Sequence, residues 1–131
     1  RLSPFAAVSV IEIPDVDPAR VGGEAKAVEA ESEGVLKALK PTTFVILLDI
    51  GGKLVSSETI AQKLDDLALE GKTDIAFIIG GSCGVDARIR ARADAAWSFG
   101  RITLPHNLAR VVLLEQVYRA FKINRGEPYH K

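Results

Sequence analysis

A chain of 131 residues, 47% of them hydrophobic, with zero net charge and few aromatics, has the size and balance of one ordinary α/β domain. Its apolar runs, such as residues 44–48, are far shorter than the ~20 residues a bilayer span needs, and no basic-then-apolar signal opens the chain. The single cysteine allows no internal disulfide, so a reducing, cytoplasmic setting is the expectation.

The sequence starts at Arg1 and contains no methionine, so it is expected to continue upstream. Charge is unevenly spread: residues 86–131 carry 9 basic and 4 acidic groups, whereas residues 41–85 carry 3 and 6. Such asymmetry points to an anionic partner or to a solvated helical face.

Residues 7–13 read as a β-branched strand bounded by Pro14, and the following Asp, Pro and Gly residues as a loop. Residues 24–39 have helical spacing, and Pro41 stops them. Residues 43–50 form a nearly all-apolar strand, expected to be buried on both faces, and Gly51-Gly52 then turns the chain. Ser56 or Ser57 can cap a helix reaching about Glu70, with Gly71 as its stop. Residues 74–79 are a third buried strand. Residues 85–96 read as an arginine-rich helix, and residues 98–104 as a short strand interrupted by Gly100 and closed by Pro105.

His106 or Asn107 then opens a long helix to about Ile123, with His106 as its structural cap. That helix is apolar almost all round, so it must be buried on more than one face. In so small a chain, the second face is expected to meet a second copy, making a homodimer. Strands alternating with helices predict an α/β fold: a mostly parallel sheet with helices on both faces.

The loop after the third strand, "GGSCG", invites several readings. It matches the G-x-S-x-G elbow, with Ser82 as nucleophile, but that fold needs a later acid and then a histidine, and the chain is too short for it. Cys83 at a helix start could be an activated thiol, although a small buried cysteine is the commoner case. A dinucleotide fingerprint would follow the first strand and read G-x-G-x-x-G, which this does not. The remaining choices are a tight turn needing positive φ at Gly81 or Gly84, and a ligand approaching at the carboxyl ends of parallel strands.

The stretches "FIIGGSCG", "ITLPHNLARVVLLEQVYRAFKI" and "GEPYHK" make the chain resemble the bacterial large-subunit rRNA methyltransferase H family, of the SPOUT class. The resemblance spans essentially the whole chain and is most specific over residues 98–131. It implies one SPOUT domain over residues 1–131 with a carboxyl-terminal trefoil knot that binds S-adenosylmethionine. Family members begin with a further strand and helix, so about the first 25 residues of their pattern are expected to be missing here.

The activity implied is methylation of N3 of pseudouridine 1915 in 23S rRNA, within the assembled 70S ribosome. The family's cofactor loops fall on Leu48, on Gly80, and on Phe99, Gly100, Arg101, Ile102, Thr103 and Leu104. Its terminal tyrosine and histidine fall on Tyr129 and His130, and its motif arginines on Arg110 and Arg119. On this reading the glycines serve the cofactor, and neither Ser82 nor Cys83 is a nucleophile.

Methyl transfer from a sulfonium asks mainly for orientation, while the imide N3–H asks for a base. His130 is the candidate base, Tyr129 can stack on an extruded nucleotide, and Arg119 completes the catalytic set. Arg88, Arg92, Arg110 and Arg125, with Arg90 and Arg119, are candidates for phosphate contacts. No metal is expected, because one cysteine and two distant histidines make no ligand cluster. Two other functions fit the same fold, a methyltransferase for a different RNA nucleotide and a non-catalytic ribosome-binding module.

Overall fold

A computed structural model describes residues 7–12, 24–80 and 87–128. Within them the chain runs β1 (Ala7–Glu12), α1 (Glu24–Ala38), β2 (Phe44–Leu54), α2 (Ser57–Leu69), β3 (Asp74–Ile79), α3 (Ala87–Arg92), β4 (Ala95–Ser98) and α4 (His106–Asn124). The four strands make one sheet in the order β1-β3-β2-β4, and every pairing is parallel.

Alternation along the strands divides the core in two. Ile46, Ile75, Phe77, Ile79 and Trp97 pack with Ile60, Leu64 and Leu67 of α2 and with Leu113, Val117 and Ala120 of α4. Val45, Leu47 and Ile78 point the other way, against Val35 of α1 and Ile89 of α3. The sheet is therefore covered on both faces, which is why residues 44–48 of β2 and 75–79 of β3 read as unbroken apolar runs. Phe77 and Trp97 stack at a tilt, centroids 5.8 Å apart.

Local chemistry fixes the helix ends. Ser56 Oγ accepts the Thr59 amide while Thr59 Oγ1 accepts the Ser56 amide, a reciprocal cap that starts α2. Gly71, at φ +79°, ends it with the Lys72 amide on the Leu67 carbonyl and its own amide on the Ala68 carbonyl.

The structure departs from the sequence expectations in three places. Gly51 and Gly52 do not turn the chain; β2 continues through them, with a shift of register against β4 between Leu48 and Lys53. A Cβ on Gly52 would lie 2.7 Å from the Ala96 carbonyl, so the glycine is there for close approach of two backbones. The arginine-rich helix stops at Arg92, and the fourth strand is Ala95–Ser98 instead of 98–104. Asp94 makes that break: its carboxylate accepts the Val45 amide at 2.8 Å and its own amide reaches the Val45 carbonyl. Finally, His106 is not the cap of α4; Pro105 occupies that position and makes no side-chain cap bond.

Candidate active site

The parallel register brings the predicted cofactor segments to one end of the sheet. Glu12, Ile79, Leu48 and Trp97 form a single row, since Glu12 and Leu48 both align with Ile79 and Leu48 also aligns with Trp97. Gly80 leaves β3 one residue past that row, and Ser98 and residues 99–104 leave β4 just beyond it. Thus Leu48, Gly80 and the 99–104 segment, far apart in sequence, share the carboxyl edge where ligands bind in open α/β sheets.

The exit from β4 is shaped by Ser98. Its buried hydroxyl donates to the Gly100 carbonyl and accepts the Gly100 amide, both at 3.1 Å. This tight loop requires φ +124° at Gly100, a conformation that only glycine adopts readily. Among the described residues nothing lies within 4 Å of where a Gly100 Cβ would stand, so backbone is open to them on that side. Phe99 packs on the core, Leu104 is half-buried, and Ile102 stands 78% exposed. Open backbone beside an exposed apolar side chain suits a flat, largely apolar ligand with a hydrogen-bonding edge.

Charge rims the same edge. Arg110 of α4 pairs with Glu12 at 3.1 Å, and Arg90 of α3 pairs with Asp49, next to Leu48. The other predicted RNA-binding arginines are spread more widely. Arg88 pairs with Glu33 of α1 at 2.9 Å. Arg92 donates to the carbonyls of Lys40 and Thr43 at 3.0 and 2.9 Å, so its guanidinium braces the entry to β2. Arg119 pairs with Glu115 one turn back at 2.9 Å, and Glu115 also accepts from Gln116, whose oxygen accepts the Ser57 hydroxyl of α2.

Ser82, Cys83, Tyr129 and His130 lie outside the described residues, as do Gly81 and Gly84. The root of the tail is described. Gly126, at φ +71°, ends α4 with its amide on the Ile123 carbonyl, and the Glu127 amide bonds the Lys122 carbonyl. Glu127 returns its carboxylate to Lys122 at 2.5 Å and meets Arg125 at 3.5 Å; the Lys122 ammonium lies 5.4 Å from the Tyr118 ring centre. The hydrogen bond from Lys122 holds the Glu127 carboxyl below its ordinary range, and the same bond, with a lesser one to Tyr118, holds Lys122 above its own. Lys122 and Glu127 escaped the sequence reading. Their signal was a lysine in the last turn followed by a glycine just past the helix end.

Among the described residues, no three His, Cys, Asp or Glu side chains gather as a metal site, and no helix is long and apolar enough to cross a membrane.

The family model described as "Predicted SPOUT methyltransferase" matches residues 1–130. This chain belongs to the SPOUT methyltransferase family. Among curated relatives of this SPOUT protein is the ribosomal RNA large subunit methyltransferase H of Pelotomaculum thermopropionicum, 51% identical over 99% of this chain and 83% of the relative. The protein of the same name from Bacillus cytotoxicus is 51% identical over 100% of this chain and 84% of its own. A putative ribosomal RNA large subunit methyltransferase H of Methanococcus maripaludis is 47% identical with the same coverage. The sheet edge carrying Leu48, Gly80 and residues 99–104 is therefore the candidate methyl-donor site of a SPOUT enzyme.

Proposed function

We propose that this SPOUT protein methylates N3 of pseudouridine 1915 in 23S rRNA of the assembled 70S ribosome, using S-adenosylmethionine and acting as a homodimer in the cytoplasm. The observation that carries the reading is roughly half identity, along nearly the whole chain, to proteins named for large-subunit rRNA methylation. The convergence of Leu48, Gly80 and the 99–104 segment on one sheet edge supports it.

S-adenosylmethionine, when bound, supplies an electrophilic methyl group on a sulfonium. The chain's residues do the rest. Backbone groups of Leu48, Gly80, Gly100, Arg101 and Thr103 hold and orient the donor, with Phe99, Ile102 and Leu104 as apolar flanks. Arg110 stands at the same edge, and its exposed guanidinium can exchange Glu12 for an RNA phosphate. The tail carries the acceptor side: Tyr129 stacks on the extruded base and His130 takes the N3 proton as the nitrogen acquires the methyl group. Arg119 and Arg125, near that tail in sequence, add positive charge toward the RNA.

Dimerisation rests on the uncovered side of α4. Leu108, Val111 and Leu114 form a stripe there, 46%, 61% and 36% exposed, opposite the buried Leu113, Val117 and Ala120. A second copy would cover that stripe and can bring one subunit's tail to the other's donor site.

The test uses ribosomes lacking the modification and donor labelled in its methyl group. Label is expected on pseudouridine 1915, and deletion of residues 129–131 should remove transfer while sparing dimerisation and donor affinity. Label at a different nucleotide would reassign the substrate. Failure to bind the donor in calorimetry would leave a ribosome-binding module.

A further inference from the structure

The carboxyl end of β2 makes an excursion. Leu48 and Lys53 both align with Trp97 of β4, so residues 49–52 leave the ladder between two residues that share one partner. Extra residues of this kind bend a strand, re-aim its side chains and gather beside active sites. The far end of the excursion is fixed by backbone. Gly52 lies so near β4 that a Cβ there would come within 2.7 Å of Ala96, and Leu54 resumes the ladder opposite Ser98. The near end, Asp49, directly follows Leu48 in the row that also holds Ile79 and Trp97. There the tie is a side chain, because Arg90 of α3 pairs with the Asp49 carboxylate. Asp49 is the more covered of the two, its side chain 24% exposed against 52%.

α3 is a firm post for that tie. Ile89, next to Arg90, is fully buried among Val35, Val45, Leu47 and Ile78, and Arg92 donates to the carbonyls of Lys40 and Thr43. Between the two ties stand Ile50 and Gly51, both exposed. Among the described residues, neither apolar cluster draws on 49–52, so packing does not hold this stretch. Leu48 and Asp49 share one planar peptide, and fixing Asp49 therefore orients the Leu48 carbonyl. We infer that the Arg90–Asp49 pair is a tether holding the excursion, and with it the Leu48 backbone, in the arrangement that receives the methyl donor. Arg90 and Asp49 are then positioning residues for donor affinity. The inference rests on the reading that Leu48, Gly80 and residues 99–104 hold the donor. Without the tether the excursion samples other arrangements, and donor Kd rises by the inverse of the fraction that stays competent. An exposed ion pair is weak, so that rise is about three- to fivefold and global stability barely changes.

The experiment compares the full chain with Arg90→Gln, Asp49→Asn, the double variant and Arg90→Lys, measuring donor Kd by calorimetry, transfer to unmodified ribosomes and melting temperature. Each neutral single substitution should raise donor Kd, and KM for donor, about three- to fivefold. At saturating donor, kcat should stay within about twofold and the melting temperature nearly constant, a split that a role in folding alone would not produce. The double variant should be no worse than either single one, because one tether is lost only once, and Arg90→Lys should keep most of the affinity. Unaltered Kd in Arg90→Gln, or single effects that multiply in the double variant, would overturn the tether. A loss confined to Asp49→Asn would overturn it too, with Asp49 touching the donor itself. Gly80→Val is run alongside. If it abolishes binding while Arg90→Gln binds like the parent, the site reading stands and the tether alone is wrong. If Gly80→Val binds normally, or the parent binds no donor, the site reading fails and takes the tether with it.

Discussion

Adjacent glycines in β2 should respond very unequally to the same substitution. Among the described residues, a Cβ on Gly51 would meet only Asp49 Oδ2, at 3.7 Å, an ordinary contact. On Gly52 it would lie 2.7 Å from both C and O of Ala96 and 2.8 Å from the Trp97 nitrogen. These neighbours are backbone in β4 and cannot rotate away. Restoring 2.7 Å to the 3.4 Å lower bound of ordinary contact needs a shift of about 0.7 Å between the strands. Overpacking of this kind costs about 1–3 kcal/mol, and a rigid neighbour puts Gly52→Ala at the upper end. For a domain of this size that is a melting temperature lower by roughly 10 °C. Gly51→Ala should stay within about 2 °C of the parent. Gly34→Ala, in α1 with no described residue within 4 Å of the new Cβ, should add about 0.5–1 kcal/mol by helix propensity. Far-UV circular dichroism melts read all three, and calorimetry should show weaker donor binding by Gly52→Ala, because the 99–104 segment follows the displaced strand. Equal melting temperatures for the Gly51 and Gly52 variants would refute the close approach of β2 and β4.

Asp94→Ala should destabilise by about 1–3 kcal/mol, since it strands the amide of Val45, a fully buried residue, without its acceptor; a denaturant midpoint equal to the parent's would contradict this. Val111→Asp should halve the mass seen by sedimentation while preserving the circular dichroism spectrum, because Val111 is 61% exposed on the proposed dimer face. Gly80→Val should abolish donor binding in calorimetry and leave the fold intact; normal binding would place the donor elsewhere. The Glu127 carboxyl, followed by NMR, should titrate below an ordinary glutamate, and Lys122→Gln should raise it again. A depressed carboxylate and a raised ammonium keep this pair charged throughout neutral pH. The contribution of Glu127 is then present above the ordinary glutamate range and lost as pH falls through its lowered value, so acid should loosen the tail root and neutral pH should not.

Much of the fold was legible because burial and periodicity agreed. The third strand, residues 74–79, coincides with β3, and Ser56 and Gly71 bound α2 as their chemistry suggests. The misreadings share a cause. Gly51-Gly52 looks like punctuation until a second backbone is seen to lie against it, and Ala-rich residues 93–96 favour helix until Asp94 is seen bonding Val45. Both depend on a partner strand some fifty positions away in sequence, which local propensity does not contain. At the site, Leu48, Gly80 and the 99–104 segment were identified by resemblance, and the sheet register brings them to one edge. Lys122 lay in the last turn of the long helix and Glu127 beyond it, and only the turn geometry at Gly126 exposes their pairing.

The strand order has a consequence for synthesis. Val8 aligns with Ile75, Phe44 with Ile75 and Ile46 with Ala95, so even the consecutive strands β2 and β3 pair residues some thirty positions apart. Each pairing must close a long loop before it gains anything, which makes folding slow compared with a helical bundle of equal size. As the chain leaves the ribosome, β1 has no partner until β3 has followed, and β2 keeps one open edge until β4 emerges. The row of Glu12, Ile79, Leu48 and Trp97 therefore assembles only when nearly three-quarters of these 131 residues have been made. Nascent fragments ending before Trp97 should hold no donor, and their unpaired strand edges make them clients for chaperones.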